Sequence, residues 1–299
     1  MRAARILAWC ALALVSLIAI CPGFFATYSP TRQYRDLPYA APGFYKGASL
    51  HWFVEGEPYR VLGFIPASRR LIGSPEPGRL FLLGSDEFGR DWYSRLCYGA
   101  SVSLLIAPVS ALISLLLAVW LGIAAGYQGG WIDTFVVRAS EVFVVLPWFY
   151  VVVALRAALP LTVSGPAGLL VVFSVLAALG SATPARLFRG LVQSLKNREF
   201  VQAGRAAGAR PAQLLRHHVL PFLVPTMRTQ FLLSIPAFIV TEVTLSFLGL
   251  GVSEPTPTWG SMLAPLQQYV VLTSYPWMFA PAVVIVVVCL ALQIVAREA

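Results

Sequence analysis

An all-α polytopic membrane protein is the fold class this sequence predicts, and three observations carry the prediction. Apolar side chains make up 58% of the 299 residues and charged ones only 12%, where a soluble domain carries about a quarter charged residues. Apolar runs of the length needed to cross a bilayer, about 20 residues of helix, recur between polar turns marked by Pro and Gly. The basic residues are also unevenly placed. Residues 186–221 hold Arg186, Arg189, Lys196, Arg198, Arg205, Arg210 and Arg216 with Glu199 as the only acid, whereas residues 249–275 contain no Lys or Arg. Short loops rich in Lys and Arg stay on the cytoplasmic side, so the net charge of +9 reads as topology. No basic stripe interleaved with aromatics points to nucleic acid.

Taken in order, residues 6–26 form the first spanning helix, with Arg2 and Arg5 holding the N-terminus in the cytoplasm. Phe24 and Ala26 fit a cleavage site poorly, so this is read as a retained helix and not a removed leader. Residues 28–98 are polar and rich in Pro and Gly, and form an extracytoplasmic region after helix one. Residues 99–299 are the membrane core. Helix two covers 101–127 with Pro108 inside it, helix three 134–159 with Pro147, and helix four 165–185. The basic loop, residues 186–221, is cytoplasmic. Helix five covers 222–248 with Pro225 and Pro236, a polar outer loop covers 249–275, and helix six covers 277–295. Six crossings return the C-terminus to the cytoplasm, in an inner, multi-pass membrane location. Hydropathy alone places the spans, and the charge distribution agrees with them independently.

Ionisable residues inside spans cost about 2.5–3.5 kcal/mol on insertion scales and usually face the bundle interior or a wet path. Arg138, Glu141 and Arg228 lie within two turns of a cytoplasmic helix end and can snorkel. Arg156 and Glu242 lie near the outer ends of helices three and five. They either face each other or the path, or sit as two separate interfacial residues.

The usual enzymatic signatures are missing. The only lysines, Lys46 and Lys196, follow no phosphate-binding glycine loop. His217 and His218 are adjacent and do not share a helix face, and there is no HExxH or GxSxG pattern. The four cysteines show no metal or disulfide spacing. The chain is therefore expected to be no enzyme and to hold neither metal nor cofactor of its own.

Within the basic loop, residues 199–208 read as one short helix. Phe200, Ala203, Gly204 and Ala207 recur at helical spacing and share a face. Small residues there let another backbone approach closely. Gly208 is placed to end the helix in a left-handed conformation, and Pro211 to open a second short helix, which Leu220-Pro221 then ends. The result is an elbow that either enters a partner's groove or packs on its own bundle.

This stretch resembles the signature cytoplasmic loop of ABC-importer permeases, which reads EAA, three residues, G, and a closing I-x-L-P. Gln202-Ala203-Gly204 stands for EAA, Gly208 for the glycine and Leu220-Pro221 for the close; Gln202, Gly204 and His218 depart from the pattern. Elsewhere in the chain, Leu83-Gly84-Ser85-Asp86-Glu87-Phe88-Gly89-Arg90-Asp91, Tyr98-Gly99-Ala100-Ser101-Val102-Ser103-Leu104 and Gly126-Tyr127-Gln128-Gly129-Gly130-Trp131-Ile132-Asp133 are similar to stretches of the C-type permeases for dipeptides, oligopeptides and nickel. So are Leu245-Ser246-Phe247-Leu248-Gly249-Leu250-Gly251 and Pro255-Thr256-Pro257-Thr258-Trp259-Gly260-Ser261-Met262. Members of that family usually carry a further short tail after helix six.

The resemblance implies the type I importer permease fold and a subunit forming half of a translocation pathway for peptides or similar small solutes. It implies a second permease subunit, two ATP-binding subunits that hold the only ATP, and an extracytoplasmic binding protein. Phe200, Gln202, Ala203, Gly204, Arg205, Ala207, Gly208, Leu220 and Pro221 would then couple to the ATPases. Pro225, Arg228, Pro236 and Glu242 become gate or pathway candidates. Asp86, Gly89, Arg90, Asp91, Trp259 and Gly260 are expected near the binding protein. An ion-coupled secondary transporter is the alternative; against it, no repeated halves are visible.

Overall fold

The computed structural model of the chain describes residues 2–61, 64–145, 150, 151, 153, 154, 157, 166–248 and 254–297. Its elements run α1 (Arg2–Ile20), α2 (Pro22–Phe25), β1 (Gly43–Tyr45), β2 (His51–Val61), β3 (Ile65–Gly73) and β4 (Arg79–Phe81). Next come α3 (Trp92–Gln128), α4 (Gly130–Val145), α5 (Pro166–Gly180), α6 (Ala182–Lys196), α7 (Glu199–Ala206) and α8 (Pro211–Leu214). A π-helical turn, Leu215–Val219, leads into α9 (Leu220–Phe247), and α10 (Trp259–Leu263), α11 (Tyr269–Ser274) and α12 (Ala280–Ala296) complete the order. The chain divides into two compact units.

Four helical stretches among the described residues are long and apolar enough to cross a membrane: Arg2–Ile20, Trp92–Gln128, Pro211–Phe247 and Pro276–Ala296. They correspond to expected helices one, two, five and six. For helices three and four the described residues give the shorter α4 and α5. Pro147 and Arg156 lie outside the described residues. Helix two starts at Trp92, about two turns before the expected 101, because the polar stretch from Ser94 to Ser103 is still helical and packs in the unit's interior.

The first unit comprises Met1–Ala107, Leu161–Leu169 and Ile239–Ile294. Its α1 buries only Ala8 and exposes Ile6, Leu7, Trp9, Leu14, Leu17 and Ile20. A helix apolar all round is built for a lipid or protein environment. The polar region after it corrects the all-α expectation, since it carries two two-stranded antiparallel sheets, β1 with β4 and β2 with β3. Pro58 lies where the β2–β3 register shifts, between Glu55 and Tyr59. A residue with no N–H is tolerated in a strand at such an irregularity. An aromatic cluster of Tyr28, Tyr34 and Phe81 holds the region together, and the Tyr28 hydroxyl accepts from the Leu80 amide at 2.9 Å. Several arginines of this region are paired internally: Arg32 with Glu57 and Glu76, and Arg79 with Asp36.

The second unit comprises Pro108–Pro160, Leu170–Phe238 and Val295–Ala299. Its core gathers Leu115, Ala118, Val119, Ala125 and Val136 against Ala185, Phe188, Val192, Val219 and Leu223. Gly122 and Gly126, one turn apart on α3, bring α6 into backbone contact. A Cβ on Gly122 would lie 2.5 Å from the Phe188 Cβ, and one on Gly126 would lie 2.7 Å from the Arg189 carbonyl. Small residues spaced four apart are what close helix packing requires. Lys196 donates to the Gly126 carbonyl at 2.9 Å, and Arg189 grips Asp133 through Nη2 at 2.6 Å and through Nε. The start of the expected basic loop is therefore α6, an amphipathic helix buried through Ala182, Ala185, Phe188 and Val192.

Candidate functional site

The elbow of the second unit is built on two buried anchors, Val201 in α7 and Leu214 in α8. Between them the chain turns through a complete helix-ending motif. The Ala209 amide donates to the Gly204 carbonyl at 3.1 Å and the Gly208 amide to the Arg205 carbonyl at 3.0 Å. Gly208 has φ +84°, a left-handed conformation that only glycine adopts freely. Pro211 then opens α8, and the Gln213 side chain accepts from the Arg210 amide at 2.9 Å. Contrary to the sequence expectation, Leu220-Pro221 does not break the second helix. The ladder widens through the π turn, where the Leu220 amide reaches back to the Leu215 carbonyl, and continues into α9. Proline lacks an N–H, and the altered register just before Pro221 lets the helix pass it.

The small-residue face divides in two. Ala203 and Ala207 are exposed beside Gln202, Arg205 and Gly208. Gly204 instead faces the elbow's inner side, where a Cβ would come within 2.9 Å of Leu214 Cδ2. Gly204 thus sits at the close approach of the two arms. Phe200 stacks on Phe222 at 5.2 Å and lies 6.3 Å from the His218 ring. Gln202 donates to the Lys196 carbonyl at 3.0 Å. Leu220 is half-buried and Pro221 exposed. Arg198, Arg205, Arg210 and Arg216 are all exposed, with Glu199 as the only acid in the stretch. The elbow therefore exposes small side chains together with an excess of positive charge.

The gate candidates are divided between the two units. In the second, Pro225 and Arg228 are exposed and Pro236 is buried in α9. Glu242, in the first unit, does not open onto a wet path. It is 2% exposed, accepts from Ser246 at 2.7 Å and Ser103 at 3.4 Å, and is also bonded by Thr258 and the Gly260 backbone. Four donors on one carboxylate offset its burial and fasten α10 to α9.

The residues expected to face a binding protein are mostly interior. Asp86, Arg90, Asp91 and Trp259 are buried, because each is consumed by the fold. Asp86 Oδ1 accepts from the Phe88 and Arg90 amides, both at 2.9 Å. Gly89, at φ +72°, passes so close to Tyr34 that a Cβ would overlap its carbonyl. Asp91 caps the start of α3 through the Ser94 amide at 2.9 Å and accepts from Thr27 at 3.2 Å. Its Oδ1 has no hydrogen-bond partner among the described residues, and burial pushes its carboxyl up to about 6 against the hydrogen bonds from Ser94 and Thr27. Trp259 Nε1 donates to the Leu96 carbonyl at 3.2 Å, and Gly260 leaves no room for a Cβ against Ser246 and Val243.

Two residues that sequence reasoning missed complete this cluster. Glu254 receives Arg90 Nη1 at 2.7 Å and Arg95 Nη2 at 2.8 Å, with further contacts at 3.5 and 3.4 Å. Both guanidiniums fork onto one carboxylate. The arginine side chains are 8% and 2% exposed while Glu254 is 52% exposed. Burial raises the Glu254 carboxyl, but Arg95 and Arg90 together hold it below the usual range. Arg95 stands four residues after Asp91 on a helix, and nothing in the spacing foretold that it would meet position 254.

Residues 118–297 match the family described as "Binding-protein-dependent transport system inner membrane component". A dipeptide transport permease protein of Bacillus subtilis is 40% identical over 60% of this chain and 54% of its own length. A di/tripeptide transport permease protein of Pseudomonas aeruginosa is 33% identical over 86% of this chain and 73% of its own length. The matched stretch thus spans about half of the first relative and about three quarters of the second. Chains from two inward-facing crystal forms of the MetNI methionine ABC transporter share the fold, at TM-scores of 0.50 and 0.51 and 16% identity. They cover 68% of this chain and 94% and 93% of their own. The matched region takes in the whole elbow, and with the membrane-length helices it makes the chain a multi-pass membrane protein of the binding-protein-dependent transport inner membrane component family.

Proposed function

We propose that the chain is a permease subunit of an ATP-driven importer and forms half of a pathway for peptides or similar small solutes. In this reading it crosses the cytoplasmic membrane six times with both termini inside, and the 28–98 region lies outside. A second permease subunit completes the pathway, an extracytoplasmic binding protein delivers the solute, and two ATPase subunits bind the ATP. The observation that carries the reading is the elbow. It exposes Ala203 on α7 and Ala207 at its end, with Arg198, Arg205 and Arg210 exposed in the same short stretch, a surface open to another protein. The relatives' names, which specify dipeptides and di/tripeptides, support peptides as the cargo class.

The test is co-purification of the ATPase subunits with the wild-type chain and with Ala203→Asp, which puts a charge on the exposed face and leaves Val201 and Leu214 in place. Loss of the ATPases from a folded variant is the expected result. Equal recovery would remove the elbow from the coupling role. Solute uptake that persists without ATP and collapses with an ionophore would favour the ion-coupled alternative.

A further inference from the structure

The first unit holds a cleft of about 530 Å³ lined by Ala19, Ile20, Pro22, Arg60, Tyr98, Ser101, Leu104 and Leu105. That volume lies within the range of ligand sites. Its walls come from three elements, the last turn of α1 with the start of α2, the first turns of α3, and the end of β2. Chemistry is layered along it. Leu104 and Leu105 lie on α3 one turn beyond Ser101 and nearly two beyond Tyr98, and Ala19 and Ile20 line the cleft from the last turn of α1. Arg60 lines the cleft from β2, the strand that packs on α2: its neighbour Tyr59 lies against Gly23, where a Cβ would be 2.3 Å from the tyrosine ring. Arg60 is exposed, and among the described residues no carboxylate pairs with it. Arg32, Arg70 and Arg79 of this region are bonded internally; Arg35 and Arg69 are exposed like Arg60, but only Arg60 lines this cleft.

We propose that this cleft is a binding site for an anionic phospholipid, with its phosphate on Arg60 and one acyl chain between α1 and α3. Three features select this occupant. α1 is a membrane-length helix that touches little of its own chain, so the gap beside Ile20 and Leu105 opens toward hydrocarbon. The cation lies where α1 gives way to the polar region, at the level of lipid headgroups. Finally, Tyr98 and Ser101 supply a polar collar between the charge and the apolar walls, as interfacial tyrosine does elsewhere. A basic residue at a membrane surface strengthens anionic lipid binding about five-fold. The inference uses only the membrane-spanning character of α1 and α3 and does not depend on the transported solute.

The test is native mass spectrometry of the full assembled complex, released from nanodiscs of phosphatidylglycerol mixed with phosphatidylcholine. Two variants are compared with wild type: Arg60→Ala, which removes the charge, and Leu104→Trp, which fills the cleft. Wild type is expected to retain phosphatidylglycerol over phosphatidylcholine, Arg60→Ala to lose that preference about five-fold, and Leu104→Trp to lose the bound lipid of both kinds. A photo-crosslinker at position 101 should label lipid in the wild-type complex. Unchanged retention in both variants would overturn the proposal. So would a crosslinker that labels only protein, or equal protection of the site by inorganic phosphate without lipid.

Discussion

Replacing Glu254 with Ala removes one carboxylate from a cluster that otherwise balances Arg90 and Arg95 against Asp86 and Glu254. Two guanidiniums, 8% and 2% exposed, would then face Asp86 alone. Truncating one partner of a fully buried ion pair costs about 3–5 kcal/mol. Glu254 is 52% exposed, so water screens part of its attraction and reaches part of the gap. Roughly 2 kcal/mol is left as the cost of opening the segment that Glu254 tethers, and this is about a 30-fold rise in the opening constant. Hydrogen exchange on the assembled complex reads that constant locally. Peptides covering residues 86–96 and 254–263 should exchange about 30-fold faster in Glu254→Ala. The double variant Glu254→Ala/Arg95→Met should exchange more slowly than the single one, since Met fills the space without an unpaired charge. Wild-type exchange rates in Glu254→Ala would refute the argument, because they would mean that the double fork contributes nothing.

Three further outcomes rest on the same geometry. Gly208→Ala places a Cβ at φ +84° and should cost about 1–2 kcal/mol, with Gly208→Asn costing less; protease sensitivity at residues 206–211 measures both. Gly204→Val drives a branched side chain into Leu214, 2.9 Å from the Cβ position. It should separate the arms and lower solute uptake several-fold while Gly204→Ala retains most of it. Asp91 titrates near 6 when folded, above its ordinary value of 3.8, so the folded state holds the proton more tightly. Its local stability should be fully present below about pH 4 and be lost as pH rises through 6. Exchange at residues 91–96 should therefore quicken over that window in wild type. Asp91→Asn, which still caps the helix, should remove that dependence.

Much of the second unit is legible in the sequence because its signals are local. Gly208 and Pro211 act through their own backbone, and the basic excess acts through its number. The limits lie where two distant segments meet. Gly204 reads as part of a flat outer face because helical spacing puts it beside Ala203 and Ala207, yet its inner contact is Leu214, ten residues on. Val201 looks like any other apolar residue. Helix α6 reads as loop because its polar half dominates the composition, although Phe188 and Val192 carry a helical stripe. In the first unit, β2 and β3 lack clean alternation, and Gly56 and Pro58 interrupt the pattern that would have revealed them. Within the Asp86–Asp91 motif, Asp86, Gly89, Arg90 and Asp91 are buried while Glu87 and Phe88 are exposed. A motif marks residues that matter, and here burial, turn geometry and capping account for them.

The π turn at Leu215–Val219 changes the meaning of the interval between Gly208 and Leu220-Pro221. Each residue added to an α-helix rotates the remainder of the rod by about 100°, and a π turn absorbs one extra residue without breaking it. The interval is thus a phase angle, a number of degrees between the exposed face of the elbow and the side chains of the helix it enters. A one-residue deletion between 212 and 219 would leave charge and hydropathy nearly unchanged and shorten the chain by very little. Taken from the π turn, it would remove the residue the turn absorbs and leave the elbow's face in phase, whereas a second deletion would rotate that face by more than a quarter turn, so that a partner pressing on it would find the wrong side.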